Sequence, residues 1–204
     1  MSLPEPADAE QTPAKRLAGR VAIVTGGSRG ARTLNRAGRE SWPLFAKAGS
    51  PVRIVHQSGP AEYEPLAQAF RDSAIQGEVV PFIRDMAMAF RGADLVVGRA
   101  GAGGVNEIAA AGMPSVLVPF PFAADDHQRR NAEALAKEGA ARMVRDAEMN
   151  GERFFSEVEA LRRDPDALAR MRKAVRRFAR PGAAERAADV LEEAAQNATR
   201  RNVS

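Results

Sequence analysis

Residues 20–32 read RVAIVTGGSRGAR, an apolar run that ends in a glycine-rich turn. A continuous run of small and β-branched apolar residues is typical of a strand buried on both faces. Glycines after such a strand let backbone N–H groups approach a phosphate closely, especially where a helix follows. The stretch therefore predicts a strand, a phosphate-binding turn and a helix, which is the repeating unit of parallel α/β folds.

The same unit recurs along the chain. Further apolar runs lie at 52–56, 78–82, 94–98 and 115–119, with a weaker sixth at 141–144. Helical stretches separate them, at about 31–48, 61–75, 104–112 and 126–138. Three more helical stretches close the chain, at 151–164, 165–180 and 183–195. This alternation predicts an α/β protein with a single Rossmann-like domain: a roughly six-stranded parallel sheet, helices on both faces and extra C-terminal helices.

Domain boundaries follow from composition. Residues 1–18 are rich in Pro, Ala and acidic residues, and are expected to form a flexible lead-in or the remnant of a linker. The α/β domain is expected to cover 19–197, followed by a short tail at 198–204. Ligands of such sheets bind beyond the carboxyl ends of the strands, so the turns after the strands are the candidate site.

Composition also narrows the function classes. The 204 residues include no cysteine, which excludes disulfides, thiolate-bound metals and cysteine nucleophiles, and favours a cytoplasmic location. No apolar stretch approaches the roughly 20 residues that cross a bilayer. Residues 1–13 lack the basic start and apolar centre of a signal peptide. The few aromatic residues do not alternate with basic ones, so no nucleic-acid partner is expected.

A short-chain, NAD(P)-dependent oxidoreductase is one interpretation of the opening stretch. Thr25, Gly26 and Gly30 fit the glycine pattern of that class, but Arg32 stands where its last glycine lets the backbone approach a pyrophosphate. That class also needs a tyrosine with a lysine four residues later. The only tyrosine here is Tyr63, and Ala67 follows it at that spacing, which argues against this alternative.

Four further motifs favour a nucleotide sugar instead. They are HQSG at 56–59, PFIRDM at 81–86, GRAGAGGVNEIAAAGMPSVLVPFP at 98–121 and DDHQRRNA at 125–132. Together with GGSRGAR at 26–32, they resemble the C-terminal, donor-binding half of the MurG family. These are bacterial UDP-N-acetylglucosamine transferases of glycosyltransferase family 28, which make lipid II for peptidoglycan. The resemblance runs from about residue 20 to about 196 and implies half of a GT-B architecture.

The strand at 94–98 leads into the richest glycine turn. Free N–H groups and the dipole of the following helix favour a diphosphate there, without a metal ion. The resemblance implies that Glu107 accepts hydrogen bonds from the ribose hydroxyls. Alternatively, the glycines serve tight helix–sheet packing and Glu107 only complements the helix dipole. The donor-binding residues implied in this segment are Ala102, Gly103, Gly104, Val105, Asn106 and Glu107.

The first turn and the segment after the third strand complete the predicted nucleotide site. The resemblance implies that Gly27, Ser28 and Arg29 help to hold the phosphates, whereas Ser28 could simply cap the next helix. It also implies that Ile83 and Met86 pack against the uracil, with a backbone group of Ile83 reading the base edge. The alternative for both is an ordinary place in the core.

The sugar side is predicted from DDHQRRNA. The resemblance implies that Gln128 and Asn131, one helical turn apart, read the hydroxyls of N-acetylglucosamine, beside Asp126 and His127. The alternative for the aspartates is capping of the helix start. The Asp-x-Asp pattern at 164–166 formally resembles a metal-binding motif of other sugar transferases, but it begins a helix, so no metal site is predicted.

The acceptor side of the family pattern is missing. Its Gly-Gly-Thr-Gly-Gly-His loop does not occur in this sequence, so no catalytic residue is assigned. The chain is expected to need an acceptor-domain half carrying a lipid-linked acceptor, as a truncated chain or as a subunit of a split enzyme. A homodimer through the exposed inter-domain face is possible. The resemblance places the complete enzyme on the cytoplasmic face of the inner membrane.

Two other classes stay open. A non-catalytic nucleotide-sugar-binding module would share the donor site without an acceptor partner. A sugar-nucleotide epimerase would share the fold, but would need paired carboxylates and a histidine in the crevice.

Overall fold

The sheet has six parallel strands. The computed structural model describes residues 20–27 and 30–179, and its strand order is β3-β2-β1-β4-β5-β6. The strands are β1 (Arg20–Thr25), β2 (Val52–Gln57), β3 (Gln76–Val80), β4 (Leu95–Gly98), β5 (Ser115–Leu117) and β6 (Ala141–Met143). All five neighbouring pairs are parallel, which confirms the predicted fold class.

Helices connect the strands and follow the last one. They are α1 (Arg32–Lys47), α2 (Tyr63–Arg71), α3 (Met86–Arg91), α4 (Ala102–Ala111), α5 (His127–Lys137), α6 (Gly151–Arg163) and α7 (Pro165–Val175). The predicted lead-in (1–18), the third C-terminal helix (183–195) and the tail (198–204) lie outside the described residues. No helix in the described ranges is long and apolar enough to cross a membrane.

One short helix was not predicted. The α3 segment has only six residues, MAMAFR, which is too short to show a helical period in the sequence. Its start is stabilised by Asp85, whose carboxylate accepts a hydrogen bond from the Met88 N–H at 2.7 Å. The helix follows the loop after β3 and carries Met86 to the edge of the sheet.

Side chains of the strands alternate between two hydrophobic clusters, one on each face of the sheet. Val24 points towards a cluster that includes Trp42 of α1 and Phe154 of α6. Its neighbour Ile23 belongs to the cluster on the other face, with Ile108 of α4 and other residues of α3 and α5. Burying each large apolar side chain contributes about 1.5–3 kcal/mol. The two clusters confirm the prediction that helices cover both faces of the sheet.

Along the chain, β2 and β3 are added on one side of β1, and β4, β5 and β6 are then added on its other side. The strand order therefore reverses between the neighbouring strands β1 and β4. The turns after these two neighbouring strands therefore lead to helices on opposite faces and leave a crevice between them.

The helix start at Asp164 is also as predicted. Pro165 is the first residue of α7, and the Asp164 carboxylate accepts a hydrogen bond from the Ala167 N–H at 2.8 Å. The Asp-x-Asp pattern is therefore a helix cap.

Candidate functional site

A cavity of about 930 Å³ opens at the carboxyl ends of the strands. It lies at the crevice between the turns that follow β1 and β4. The loop after β3, the loop after β5 and the start of α5 close its other sides. Seven of the predicted site residues line it: Gly27, Ile83, Met86, Gly103, Gly104, Glu107 and Gln128.

The turn after β1 is shaped by contact with the loop after β2. The Gly30 N–H donates to the Gly27 carbonyl at 3.0 Å. Gly30 has a φ of 76°, and a Cβ there would clash with the Ser58 carbonyl oxygen, so no other residue fits without a shift. Ser28 and Arg29 lie outside the described residues.

Arg32 is the first residue of α1 and lines the cavity. The residue before it, Ala31, has no side chain that could cap the helix. Among the described residues, no capping side chain therefore bonds the first-turn N–H groups of α1, and the cation of Arg32 lies at this helix start. Both features favour an anion.

The turn after β4 presents a second helix start. The α4 helix begins at Ala102, two residues earlier than predicted, and its N-cap residue, Gly101, also provides no capping side chain. A Cβ on Gly103 would meet no atom within 4 Å, and one on Gly104 only the Arg99 carbonyl oxygen at 4.0 Å. Packing within the protein therefore does not require these glycines. Their absent side chains leave the cavity open.

Glu107 lies beyond the first turn of α4, is exposed and lines the cavity. Its position weakens the alternative that it only complements the helix dipole, which acts mainly within the first turn. The remaining predicted residues of this segment do not line the cavity. Val105 is buried in the core, whereas Ala102 and Asn106 are exposed.

The loop after β3 and helix α3 supply an apolar wall. Ile83, Met86, Phe82 and Phe90 line this side. Ile83 and Met86 also pack against the hydrophobic cluster of that face, so both have a place in the core while lining the cavity. Their contact with a uracil stays a prediction. The Ile83 N–H donates to the side-chain oxygen of Gln57 at 2.8 Å.

The start of α5 brings Gln128 to the cavity. Its Oε1 accepts a hydrogen bond from the Phe120 N–H at 3.0 Å, which anchors the loop after β5. Asn131 does not line the cavity. Its Nδ2 donates to the Ala100 carbonyl at 3.0 Å, so Asn131 supports the glycine turn after β4 from behind.

Asp126 and His127 lie outside the cavity lining. Asp125 and Asp126 have φ values of 47° and 58°, which turn the chain sharply into α5. The Asp126 carboxylate does not cap the helix. It binds Arg129 instead, at 2.7 Å, and the hydrogen bond from that guanidinium lowers the pKa of Asp126. The predicted capping by Asp126 is therefore wrong, because the side chain has a cationic partner. His127 is exposed and begins α5.

An ion pair that the sequence did not predict braces the cavity wall. The Arg99 guanidinium binds the Asp146 carboxylate and donates to the carbonyls of Val118 at 3.0 Å and Pro119 at 3.3 Å. Asp146 also accepts from the Thr33 hydroxyl at 3.0 Å. These contacts join the ends of β4 and β5 to the start of α1. No local pattern could have revealed them, because Thr33 and Asp146 are 113 residues apart.

Two further arginines line the cavity. Arg32 and Arg84 have no ion-pair partner among the residues that the structure describes. Arg99, by contrast, is neutralised by Asp146. The uncompensated positive charge in the lining is therefore carried by Arg32 and Arg84, on two sides of the cavity, against one carboxylate at Glu107.

The sequence of this chain matches a known protein family. Residues 21–192 match the family described as glycosyltransferase family 28 C-terminal domain. The chain is 60% identical over 174 residues to the UDP-N-acetylglucosamine--N-acetylmuramyl-(pentapeptide) pyrophosphoryl-undecaprenol N-acetylglucosamine transferase of Solibacter usitatus, which covers 85% of this chain and 47% of that protein. The enzyme of the same name from Pseudomonas fluorescens is 44% identical over 175 residues, covering 85% and 49%.

A solved structure agrees with this match. The crystal structure of Acinetobacter baumannii MurG aligns with a TM-score of 0.74 at 34% identity, over 84% of this chain and 49% of that one. The chain thus spans about half the length of the relatives it matches. These comparisons confirm the resemblance drawn from the motifs and give no support to the oxidoreductase alternative. The chain belongs to glycosyltransferase family 28, as a C-terminal domain of the kind found in MurG.

Proposed function

We propose that this domain binds UDP-N-acetylglucosamine as the donor half of an inverting transferase that builds the lipid-linked precursor of peptidoglycan. The observation that carries the proposal is one cavity that is lined by the N-terminal ends of both α1 and α4, whose N-cap residues Ala31 and Gly101 provide no capping side chain, with Glu107 and Gln128 on its wall. Two such helix starts suit a diphosphate. The names of the relatives support the sugar and the lipid acceptor.

The diphosphate is proposed to lie between the two helix starts. Negative charge on the leaving UDP grows as the glycosidic bond breaks, so groups that favour it most in the transition state accelerate the reaction. The N–H groups of Gly103 and Gly104 and the guanidinium of Arg32 are the proposed partners. Amides and arginine are thus proposed to take up the charge. Separately, the described ranges contain no cluster of three His, Asp or Glu side chains that could hold a metal ion. Ser28 and Arg29 are proposed to contribute to the same subsite.

The nucleoside is proposed to extend from the diphosphate towards the loop after β3. Glu107 would accept hydrogen bonds from the ribose hydroxyls, since an ionised carboxylate only accepts. Ile83, Met86 and Phe82 would hold the flat base against an apolar wall. The sugar would lie at Gln128, whose Oε1 is already bound to the Phe120 N–H, so the amide nitrogen is the end offered to the sugar. Asn131 would act through the turn that it supports.

The acceptor half is proposed to cover the mouth of the cavity. The exposed large apolar side chains among the described residues are Phe82, Met88, Phe120 and Phe122, and all but Met88 line the cavity. An apolar rim around a site marks an interaction surface. The acceptor hydroxyl and its general base would come from that half, attacking the anomeric carbon in line with inversion. Because the acceptor is lipid-linked, the assembled enzyme would work at a membrane surface, and the family resemblance favours the cytoplasmic face.

Calorimetry tests the donor site directly. The purified chain should bind UDP-N-acetylglucosamine saturably, UDP-glucose more weakly and NAD not at all. Glu107→Ala and Gln128→Ala should each weaken binding about ten-fold, which corresponds to about 1.4 kcal/mol. Glu64→Ala, at the exposed start of α2, is the matched control and should leave the affinity unchanged. Failure of every UDP ligand to bind would contradict the proposal, and binding of NAD would favour the oxidoreductase alternative.

A further inference from the structure

Gln57, the last residue of β2, links two loops of the cavity. Its side chain lines the cavity and yet is only 1% exposed. The Oε1 atom accepts the Ile83 N–H at 2.8 Å. The Nε2 atom donates to the Gly27 carbonyl at 2.9 Å and to the Thr25 hydroxyl at 3.2 Å. Both ends of the amide are therefore in use, each towards a different loop.

The orientation of this amide is determined by its partners. The Gly27 carbonyl can only accept and the Ile83 N–H can only donate, so a flipped amide would face two mismatched groups. Gly27 is held from other sides as well: its N–H donates to the Thr25 hydroxyl at 3.2 Å, and its carbonyl also accepts from Gly30. Gln57 thus belongs to a closed set of hydrogen bonds that shapes the turn after β1.

The sheet alone does not hold these loops together. Within the sheet, Thr25 pairs with Gln57 and Gln57 with Val80. One more backbone bond, from the Ser58 N–H to the Val80 carbonyl, closes the ladder at 3.0 Å. Beyond it, Gln57 is the only side chain in the described ranges whose hydrogen bonds reach both the turn at 26–27 and 30–31 and the loop at 81–86.

We infer that Gln57 is a positioning residue that fixes the separation between the described part of the phosphate turn (26–27 and 30–31) and the base-side loop (81–86). The inference rests on the proposed function, in which a nucleoside diphosphate occupies both loops at once. A ligand that spans two subsites gains affinity only when both are held at matching positions beforehand. Gln57 would supply this match without contacting the reacting atoms.

The inference predicts a selective loss of affinity. Without the Gln57 bridge, each loop keeps its own local shape, but their separation is no longer fixed. UDP, which must reach both loops, should bind more weakly. Uridine and pyrophosphate, which each need one loop, should bind almost as before. A purely structural role would instead weaken all three ligands together or leave all three unchanged.

Gln57→Met is the test variant, since methionine has a similar length and makes none of the three hydrogen bonds. We expect its UDP affinity to fall at least ten-fold, measured by calorimetry. The affinities for uridine and for pyrophosphate, measured by NMR titration, should change less than two-fold. Gln68→Met is the matched control, because Gln68 lies on α2 and bonds only the exposed side chains of Asp72 and Arg71.

Gln57→Asn is the second variant, which keeps the inference testable if Gln57→Met does not fold. It keeps a buried amide but is one methylene too short to bond both loops, so it should show the same selective loss in a milder form. If the wild-type chain binds UDP and both folded variants bind it equally well, or lose all three ligands in proportion, the positioning role is overturned. If the wild-type chain itself binds no UDP, the proposed function fails first.

Discussion

His56 is the most deeply enclosed ionisable side chain of the described residues. Burial without a charged partner lowers the pKa of its ring to about 3. Nε2 lies 2.8 Å from the Asn35 Oδ1. Because the Asn35 Nδ2 donates to the Ser58 carbonyl at 2.9 Å, Oδ1 must accept, and Nε2 carries the proton. Nδ1 has no partner, so protonation would place an unpaired charge in the core.

The free energy of unfolding should therefore fall in mild acid. The unfolded chain protonates His56 near pH 6.5 and the folded one only near pH 3, so stability is lost as the pH falls between these values. From pH 7 to pH 5 the loss should be about 2 kcal/mol, measured by urea titration. The His56→Gln variant should have a lower free energy of unfolding than the wild type at pH 7. Between pH 7 and pH 5, however, its free energy of unfolding should fall little further. An unchanged pH dependence in this variant would contradict the assignment.

Glu159 titrates in a lower window and serves as the control for that experiment. Hydrogen bonds from Arg162, Arg163 and the Ser50 hydroxyl lower its pKa to about 2. Its contribution is present above about pH 4.5 and is lost as the pH falls towards 2. The free energy of unfolding of Glu159→Gln should thus decrease between pH 7 and pH 5 as in the wild type. Below pH 4.5, it should decrease less than in the wild type.

The Arg99–Asp146 pair predicts a strong energetic coupling. Both side chains are largely buried, and removing one partner leaves the other charge without compensation. Arg99→Met and Asp146→Asn should each destabilise the fold by about 2–3 kcal/mol. The double variant should cost at least ~1 kcal/mol less than the sum of the two. Urea unfolding of all four chains measures this, and additive losses would mean that the pair is not coupled.

Gly38 allows α1 to lie close to β2. A Cβ at this position would lie 2.7 Å from Cε1 and 3.0 Å from Nδ1 of the His56 ring. That ring is itself held between Asn35 and Trp42, whose ring centroid is 6.2 Å away. The helix therefore uses a residue of poor helix propensity because of its tertiary contact.

Gly38→Ala should destabilise the protein, contrary to helix propensity. Alanine in a helix interior is favoured over glycine by about 1 kcal/mol, but overpacking a rigid core costs typically 1–3 kcal/mol. We expect a net loss of about 1–2 kcal/mol in urea unfolding. Gly92→Ala is the control, because a Cβ there would meet only the Ala89 carbonyl oxygen at an ordinary 3.7 Å. A more stable Gly38→Ala variant would show that the ring can move aside.

The arrangement of the whole sheet couples ligand binding to the stability of the fold. The cavity is lined by turns that are distant in the chain, and these exist in one place only when the sheet is complete. A ligand that binds only the folded chain stabilises it by about 2.7 kcal/mol at a concentration one hundred times its dissociation constant. UDP-N-acetylglucosamine should thus raise the melting temperature by roughly 5–10 °C. NAD, as the control, should leave it unchanged.

Reconstitution tests the apolar rim. The N-terminal half of the Solibacter usitatus relative, expressed separately, should restore transfer to a lipid-linked acceptor when mixed with this chain. Phe122 is 83% exposed and lines the cavity from the loop after β5. It is not among the groups proposed to hold UDP, so its main effect should be on that assembly. Phe122→Ser should therefore reduce transfer at limiting partner concentration several-fold, without changing the calorimetric affinity for UDP. Self-association of the chain that Phe122→Ser abolishes, without reconstitution by the other half, would instead indicate a homodimer.

The fold class and the rough location of the candidate site could be predicted from the amino-acid sequence. Six apolar runs separated by helical stretches specify a parallel sheet, because their pattern is local. Since all carboxyl ends of parallel strands lie at one edge, the turns at Gly27, Ile83 and Gly103 could be brought together without coordinates. The short helix α3 was not predicted, because six residues are too few to show a helical period.

The contacts that shape the cavity depend on the folded chain. Asn131 shares a helix face with Gln128, yet its amide bonds the backbone of Ala100 outside the cavity lining. Gln57 and Ile83 are 26 residues apart and Arg99 and Asp146 are 47 apart. Hydrogen bonds between such distant residues leave no periodic trace in the sequence, because they form only where the order of the strands places their ends side by side.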